Sequence, residues 1–200
     1  TGLFAAHEVG DRLYFEIPDS LLNRDMLLIS QIAAAPSDLG AYVNAGINTN
    51  EQVVRWERHR NQILLRTRSY QSVASDTLPV YQAVRANNFE PIISAFKIET
   101  INEDSSATVI DVTSLFTEDV PSIGALSTGL RQQYQVKQLD QARSMIESAR
   151  SFPINVEVRH ALTYEAGNPP GDASTGTISV RMNQSMILLP EEPMQPRIAD

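Results

Sequence analysis

Apolar and polar residues alternate with a period of two along most of the chain, and this pattern predicts β-strands. It is plainest from Ile154 to Glu165. There Ile154, Val156, Val158, His160, Leu162 and Tyr164 fall in one phase, and Asn155, Glu157, Arg159, Ala161, Thr163 and Glu165 in the other. Thr177 to Leu188 repeats it, with Ile178, Val180, Met182, Met186 and Leu188 against Thr177, Ser179, Arg181, Asn183 and Ser185. The intervening Ala166-Gly167-Asn168-Pro169-Pro170-Gly171-Asp172 suits neither strand nor helix. A long antiparallel hairpin with a roomy loop follows.

The same logic places earlier strands. Leu3 to Glu8 and Arg12 to Ile17 flank a tight turn at Gly10-Asp11, and Pro18-Asp19-Ser20 opens a single helical turn through Leu21 and Leu22. Met26 to Ala33 is a continuous apolar run suited to a central strand. Val53 to Arg58 and Ile63 to Ser69 form a hairpin around His59-Arg60-Asn61-Gln62, and Pro91 to Ile101 and Thr108 to Val112 complete the set.

One segment carries a helical stripe. Val136, Leu139, Ala142, Ile146 and Ala149 share a face, Lys137, Asp140, Arg143, Glu147 and Arg150 lie largely off it, and Ser151-Phe152-Pro153 ends the run. This predicts a main helix over about 136–149. A second, short helix is read near Leu78 to Asn88, and Thr113 to Gly129 shows no assignable pattern. The fold class expected is α+β, mainly antiparallel sheet with one main helix, in one domain over 1–200.

Composition narrows the function. The 200 residues are 42% hydrophobic and 20% charged, an ordinary globular balance. The net charge of −8 opposes nucleic acid or an anionic membrane as a partner. No run of about 18 apolar residues offers a membrane span. The chain has no cysteine, which excludes disulfides and thiolate metal sites. The N-terminus enters a strand at once with no signal peptide, and the C-terminus stops without a turn or polar tail, so the chain is read as excised from a larger protein.

Candidate chemistry is sparse. Ala6-His7-Glu8-Val9-Gly10 opens like the zinc-protease motif HExxH, but the second histidine is replaced by Asp11 and the context is a strand, not a helix. The other histidines, His59 and His160, share no ligand spacing with it, so no metal or catalytic residue is assigned. His160, on an apolar strand face, is expected to be buried with its nitrogens hydrogen-bonded. No G-x-S-x-G elbow or phosphate loop is present. One basic hairpin stands out. With its turn at Arg60-Asn61, Arg55 faces Arg66, Arg68 follows on the same face, and Trp56, Ile63 and Leu65 make the buried one. Arg55, Arg66 and Arg68 are thus candidates to bind carboxylate or phosphate, against a plainer reading as a solvated face paired with acids. Met186, Ile187, Leu188 and Leu189 break the alternation and are candidates for a domain interface, against a plainer reading as the end of a central strand.

Three stretches carry a family resemblance: Tyr14 to Asp25 (YFEIPDSLLNRD), Phe152 to Arg159 (FPINVEVR) with Leu162-Thr163-Tyr164, and Met186 to Arg197 (MILLPEEPMQPR). Together they resemble the uncharacterised domain that precedes the catalytic domain in large, exported bacterial zinc-dependent metalloproteases of metzincin-like type. The resemblance implies an extracytoplasmic location and a non-catalytic accessory domain, with the downstream catalytic protease domain as its partner in cis. It places zinc in that catalytic domain, whose HExxHxxGxxH motif is absent here, and no cofactor in this chain. The alternative is an extracellular module binding peptide or glycan.

Overall fold

The computed structural model describes residues 2–40, 43–69, 88–171 and 175–192. Eleven strands are described: β1 (Ala5–Val9), β2 (Arg12–Pro18), β3 (Met26–Ala34), β4 (Asn48–His59), β5 (Gln62–Arg68), β6 (Ile92–Ile101), β7 (Ala107–Asp111), β8 (Val136–Leu139), β9 (Met145–Ser151), β10 (Asn155–Ala166) and β11 (Thr177–Leu188). Two short helices, α1 (Thr113–Thr117) and α2 (Thr128–Gln133), lie between β7 and β8. The structure is mostly antiparallel sheet.

Every ladder is antiparallel, in the order β1-β2-β7-β6-β5-β4-β3-β11-β10. The far edge of β10 is shared, with β9 along its first half and β8 near its end. The sheet curls until its two ends meet. The Leu3 amide donates to the Phe152 carbonyl at 2.7 Å, and the Ala149 amide donates to the Glu8 carboxylate at 2.7 Å. Strands far apart in the order therefore meet across the interior. Phe15 of β2 lies 6.2 Å from Trp56 of β4 and 6.1 Å from Phe116 of α1. Phe116 in turn lies 5.5 Å from His160 of β10.

Alternation explains most of this. β10 and β11 pair as the 154–188 hairpin requires, with Glu165 opposite Thr177 and Val156 opposite Met186. Their even-numbered residues face inward and are nearly all buried. β3 is flanked by β4 and β11, as its apolar run demands. Gly10 supplies the positive φ, +60°, at the first position of the two-residue β1–β2 turn. Asp19–Leu21 forms the single helical turn after β2.

The main helix over 136–149 is not there. β8 occupies Val136–Leu139, a 3₁₀ turn Gln141–Arg143, and β9 starts at Met145. Two local causes act together. Asp140 accepts the amide of Arg143 on its side chain and the hydroxyl of Ser144 on its carbonyl, which closes a turn in mid-stripe. The edge of β10 also offers a whole ladder of main-chain partners, and tertiary pairing outweighs a weak helical stripe interrupted by serines. Ile146 and Ala149 still pack against the core, from a strand. The short helix near Leu78 to Asn88 lies, but for Asn88 itself, outside the described residues.

Two apolar clusters fill the interior. The larger centres on Phe15, Trp56, Phe96, Phe116, Val158 and Met186. The smaller gathers Ile32, Tyr134, Leu162, Tyr164, Val180 and Met182 toward α2 and β8. A polar layer of Ser30, His160 and Gln184 lies between them, all three buried.

Candidate functional site

The basic hairpin forms in the register expected, with Arg55 opposite Arg66 and Trp56, Ile63 and Leu65 fully buried beneath. Its arginines are held by the protein's own acids. Arg55 pairs with Asp25, and Arg66 donates to Glu57 at 2.9 Å and to the Glu90 carbonyl at 2.6 Å. Arg68 meets both carboxylate oxygens of Glu90, at 2.8 and 2.6 Å. The Arg66 guanidinium also stacks 5.0 Å from the Phe89 ring. Guanidinium forks engaged in this way already hold their carboxylates.

Met186 to Leu189 stand at one end of the curled sheet. Met186 is buried, and Ile187, Leu188 and Leu189 are half-buried. β11 is paired on both sides here, Ile187 lying opposite Asn155 on β10 and Leu27 on β3. Leu188 donates its amide to the Ile154 carbonyl at 2.8 Å. That contact puts the β9–β10 turn beside the strand end, and Phe152 and Ile154 in this turn are 43% and 63% exposed. The result is an apolar rim of Phe152, Ile154, Leu188 and Leu189, which the sequence pattern located only through its β11 half.

His160 is completely buried, as the alternation predicts. Its Nδ1–H donates to the Phe116 carbonyl at 2.7 Å, so Nε2 is the acceptor and takes an N–H of Gln184 at 3.0 Å. The Gln184 amide nitrogen also donates to the Ile123 carbonyl at 3.0 Å, and its oxygen accepts the Ser30 hydroxyl at 2.6 Å. Every donor in this Ser30–Gln184–His160 relay meets an acceptor, with one tautomer throughout. Burial pushes the imidazole pKa down to about 4. The arrangement suits a neutral structural histidine. Ser30 and Gln184 were findable in the sequence, since each is a lone polar residue in the buried phase of its strand.

A cleft of about 740 Å³ opens beside the meeting of the sheet ends. Glu8, Asp11 and Arg12 line one wall, Met145 and Ile146 the other, with Thr113, Ser114, Thr117 and Glu118 of and after α1 between them. Arg12 reaches Asp111 at 3.4 Å, and Asp111 also accepts the amide and hydroxyl of Thr113 at 2.9 and 2.6 Å. His7 lies on the edge strand β1 and bonds Glu16 at 2.9 Å. Among the described residues no group of three or more His, Cys, Asp or Glu side chains is placed to hold a metal ion. No helix among them is long and apolar enough to cross a membrane.

No curated protein and no solved structure matches the chain. Two family descriptions do. Residues 1–35 match a domain of unknown function, DUF5118, and residues 46–200 match another, DUF5117. The two stretches share one core, since β2 of the first pairs with β7 of the second and β3 with both β4 and β11. By the greater match, which takes in β4 through β11, the chain belongs to the DUF5117 family.

Proposed function

We propose that this chain is a non-catalytic interaction domain of a larger, exported zinc-dependent metalloprotease, and that it packs against the downstream catalytic domain. The observation that carries the reading is the apolar rim, where Phe152 and Ile154 stand exposed beside Leu188 and Leu189. Exposed apolar side chains gathered at one place mark contact surfaces. The rest of the molecule supports a binding rather than a chemical role. Its one buried histidine is saturated with hydrogen bonds, and Arg55, Arg66 and Arg68 are engaged by Asp25, Glu57 and Glu90. The zinc and the catalytic groups belong, on this reading, to the partner domain, and the location is extracytoplasmic.

The test uses this chain with the separately produced catalytic domain. The two are expected to associate at micromolar concentration and to alter the turnover of a peptide substrate. Ile154→Asp, on an exposed side chain, should leave the fold intact and weaken the association at least about ten-fold, as a charge placed in an apolar contact does. No association at micromolar concentration, or an unchanged affinity for the Ile154→Asp chain, rejects the reading.

A further inference from the structure

We propose that the N-terminal segment Gly2 to Phe4, together with β1, is a clasp that sets the shape of the apolar rim. Closing β1 against β9 and binding at the rim then favour each other. This rests on the rim being the contact surface, and adds the device that controls it. The two exposed side chains of the rim, Phe152 and Ile154, sit in the short β9–β10 turn. Main-chain bonds hold that turn from both sides. The Phe152 amide donates to the Asn155 carbonyl at 2.7 Å, and the Leu188 amide of β11 to the Ile154 carbonyl at 2.8 Å. The hold on the other side comes from the start of the chain, where the Leu3 amide donates to the Phe152 carbonyl at 2.7 Å.

Gly2 makes this last bond possible. A Cβ there would run into the Ser151 side chain and fall 2.8 Å from the Ser151 carbonyl carbon. No side chain fits without moving the strand end that carries Phe152. Phe4 anchors the segment, being buried with its ring 5.0 Å from that of Phe15. β1 is held more loosely. Four of its five residues are exposed, so it buries little apolar surface of its own. Among the described residues it shares no ladder with β9, and the hydrogen bond between the two runs from the Ala149 amide to the Glu8 side chain.

Elements with so few buried contacts open locally at a low free energy. When β1 lifts from β9 and takes Leu3 with it, the turn loses one of its holds. Phe152 and Ile154 then gain freedom that a partner must remove again on binding. By linkage, a partner seated on the rim holds the clasp shut. The clasp lies within the stretch matching DUF5118 and the turn within the stretch matching DUF5117, so the contact surface of the second is completed by the first.

Amide hydrogen exchange on the full chain, alone and with the catalytic domain, tests this with two variants. Gly2→Val drives the start of the chain off Ser151. Glu8→Ala removes the acceptor of the Ala149 amide by changing an exposed side chain, which leaves the core untouched. In the free chain, Gly2→Val is expected to speed exchange at Leu3, Phe152 and Leu188 about ten-fold or more, and Glu8→Ala to act in the same direction. Amides in the middle of β10 and β11 should keep their rates, whereas a general loss of stability would speed all of them together. The catalytic domain should slow exchange at Leu3 in the wild-type chain and bind Gly2→Val about ten-fold more weakly. The clasp is overturned by unchanged rates at Phe152 and Leu188 in both variants, by acceleration shared with the middle of β10 and β11, or by equal affinity of Gly2→Val. A wild-type chain that does not bind at all rejects the interface and the coupling with it. Unchanged rates at the turn reject the clasp alone.

Discussion

Replacing Trp56 by alanine is expected to destabilise the fold by about 3–5 kcal/mol, the range for removing a large aromatic side chain from a packed core. Trp56 is fully buried and is a hub of the larger apolar cluster, with Phe15 at 6.2 Å in an edge-on arrangement and Phe96 at 5.8 Å. Those rings come from β2 and β6, so the indole joins parts of the sheet that share no ladder with β4. Its Nε1–H has no hydrogen-bond partner among the described residues. That buried donor opposes folding by about 1–3 kcal/mol. Trp56→Phe should therefore lose far less than Trp56→Ala, because relief of the unmatched N–H offsets part of the lost contact. Urea denaturation followed by circular dichroism measures both. If phenylalanine proves as damaging as alanine, the indole nitrogen has a partner and the argument fails.

The strands were legible wherever alternation ran long enough to exclude a helix. β10 and β11 each keep one phase buried for twelve residues, and the proline- and glycine-rich stretch between them cannot continue either strand. The segment 136–149 was misread because five apolar residues at helical spacing also divide into a four-residue strand, a turn and the start of a longer strand. Only the Asp140 side chain, bonded to the Arg143 amide, marks the break. α1 escaped notice for a different reason. Five residues are too few to show a period, although two of them, Leu115 and Phe116, are core.

The candidate surfaces were legible only in part. The apolar end of β11 stands out in the sequence, but its exposed half, Phe152 and Ile154, comes from a turn that no pattern links to Leu188. The arginines of the β4–β5 hairpin attract attention as a row of charge, yet two of their three acids, Asp25 and Glu90, come from outside the hairpin. The cleft has no sequence signature at all. It exists because the two ends of a curled sheet meet from Leu3 and Phe152 to Glu8 and Ala149 and diverge beyond, and which strands become the ends is decided by the pairing of the whole sheet.

Acidification through mildly acid pH is expected to weaken the fold by about 3 kcal/mol through His160 alone. The group has an ordinary pKa of 6.5 in the unfolded chain and about 4 when folded, so the unfolded state binds the extra proton first. Stability is thus fully present above pH 6.5, falls as pH drops below it, and stops falling through this group below about 4. The steepest slope is about 1.4 kcal/mol per pH unit. The neighbours explain why the proton is refused. Nδ1 already donates to Phe116, and a proton on Nε2 would face the Gln184 amide, whose other bond goes to Ile123. Turning the Gln184 amide would present its oxygen instead, but at the expense of the Ile123 bond. Asp140, held below the ordinary carboxylate range by its hydrogen bond with Arg143, loses its contribution only below pH 3.8 and so lies outside this window. His160→Asn keeps a donor for the Phe116 carbonyl and cannot titrate. Its chain should be less stable at pH 7 and should show a much flatter dependence between pH 6.5 and 5. Urea midpoints followed by Trp56 fluorescence across that range decide the matter, and a wild-type slope that survives in His160→Asn would place the proton elsewhere.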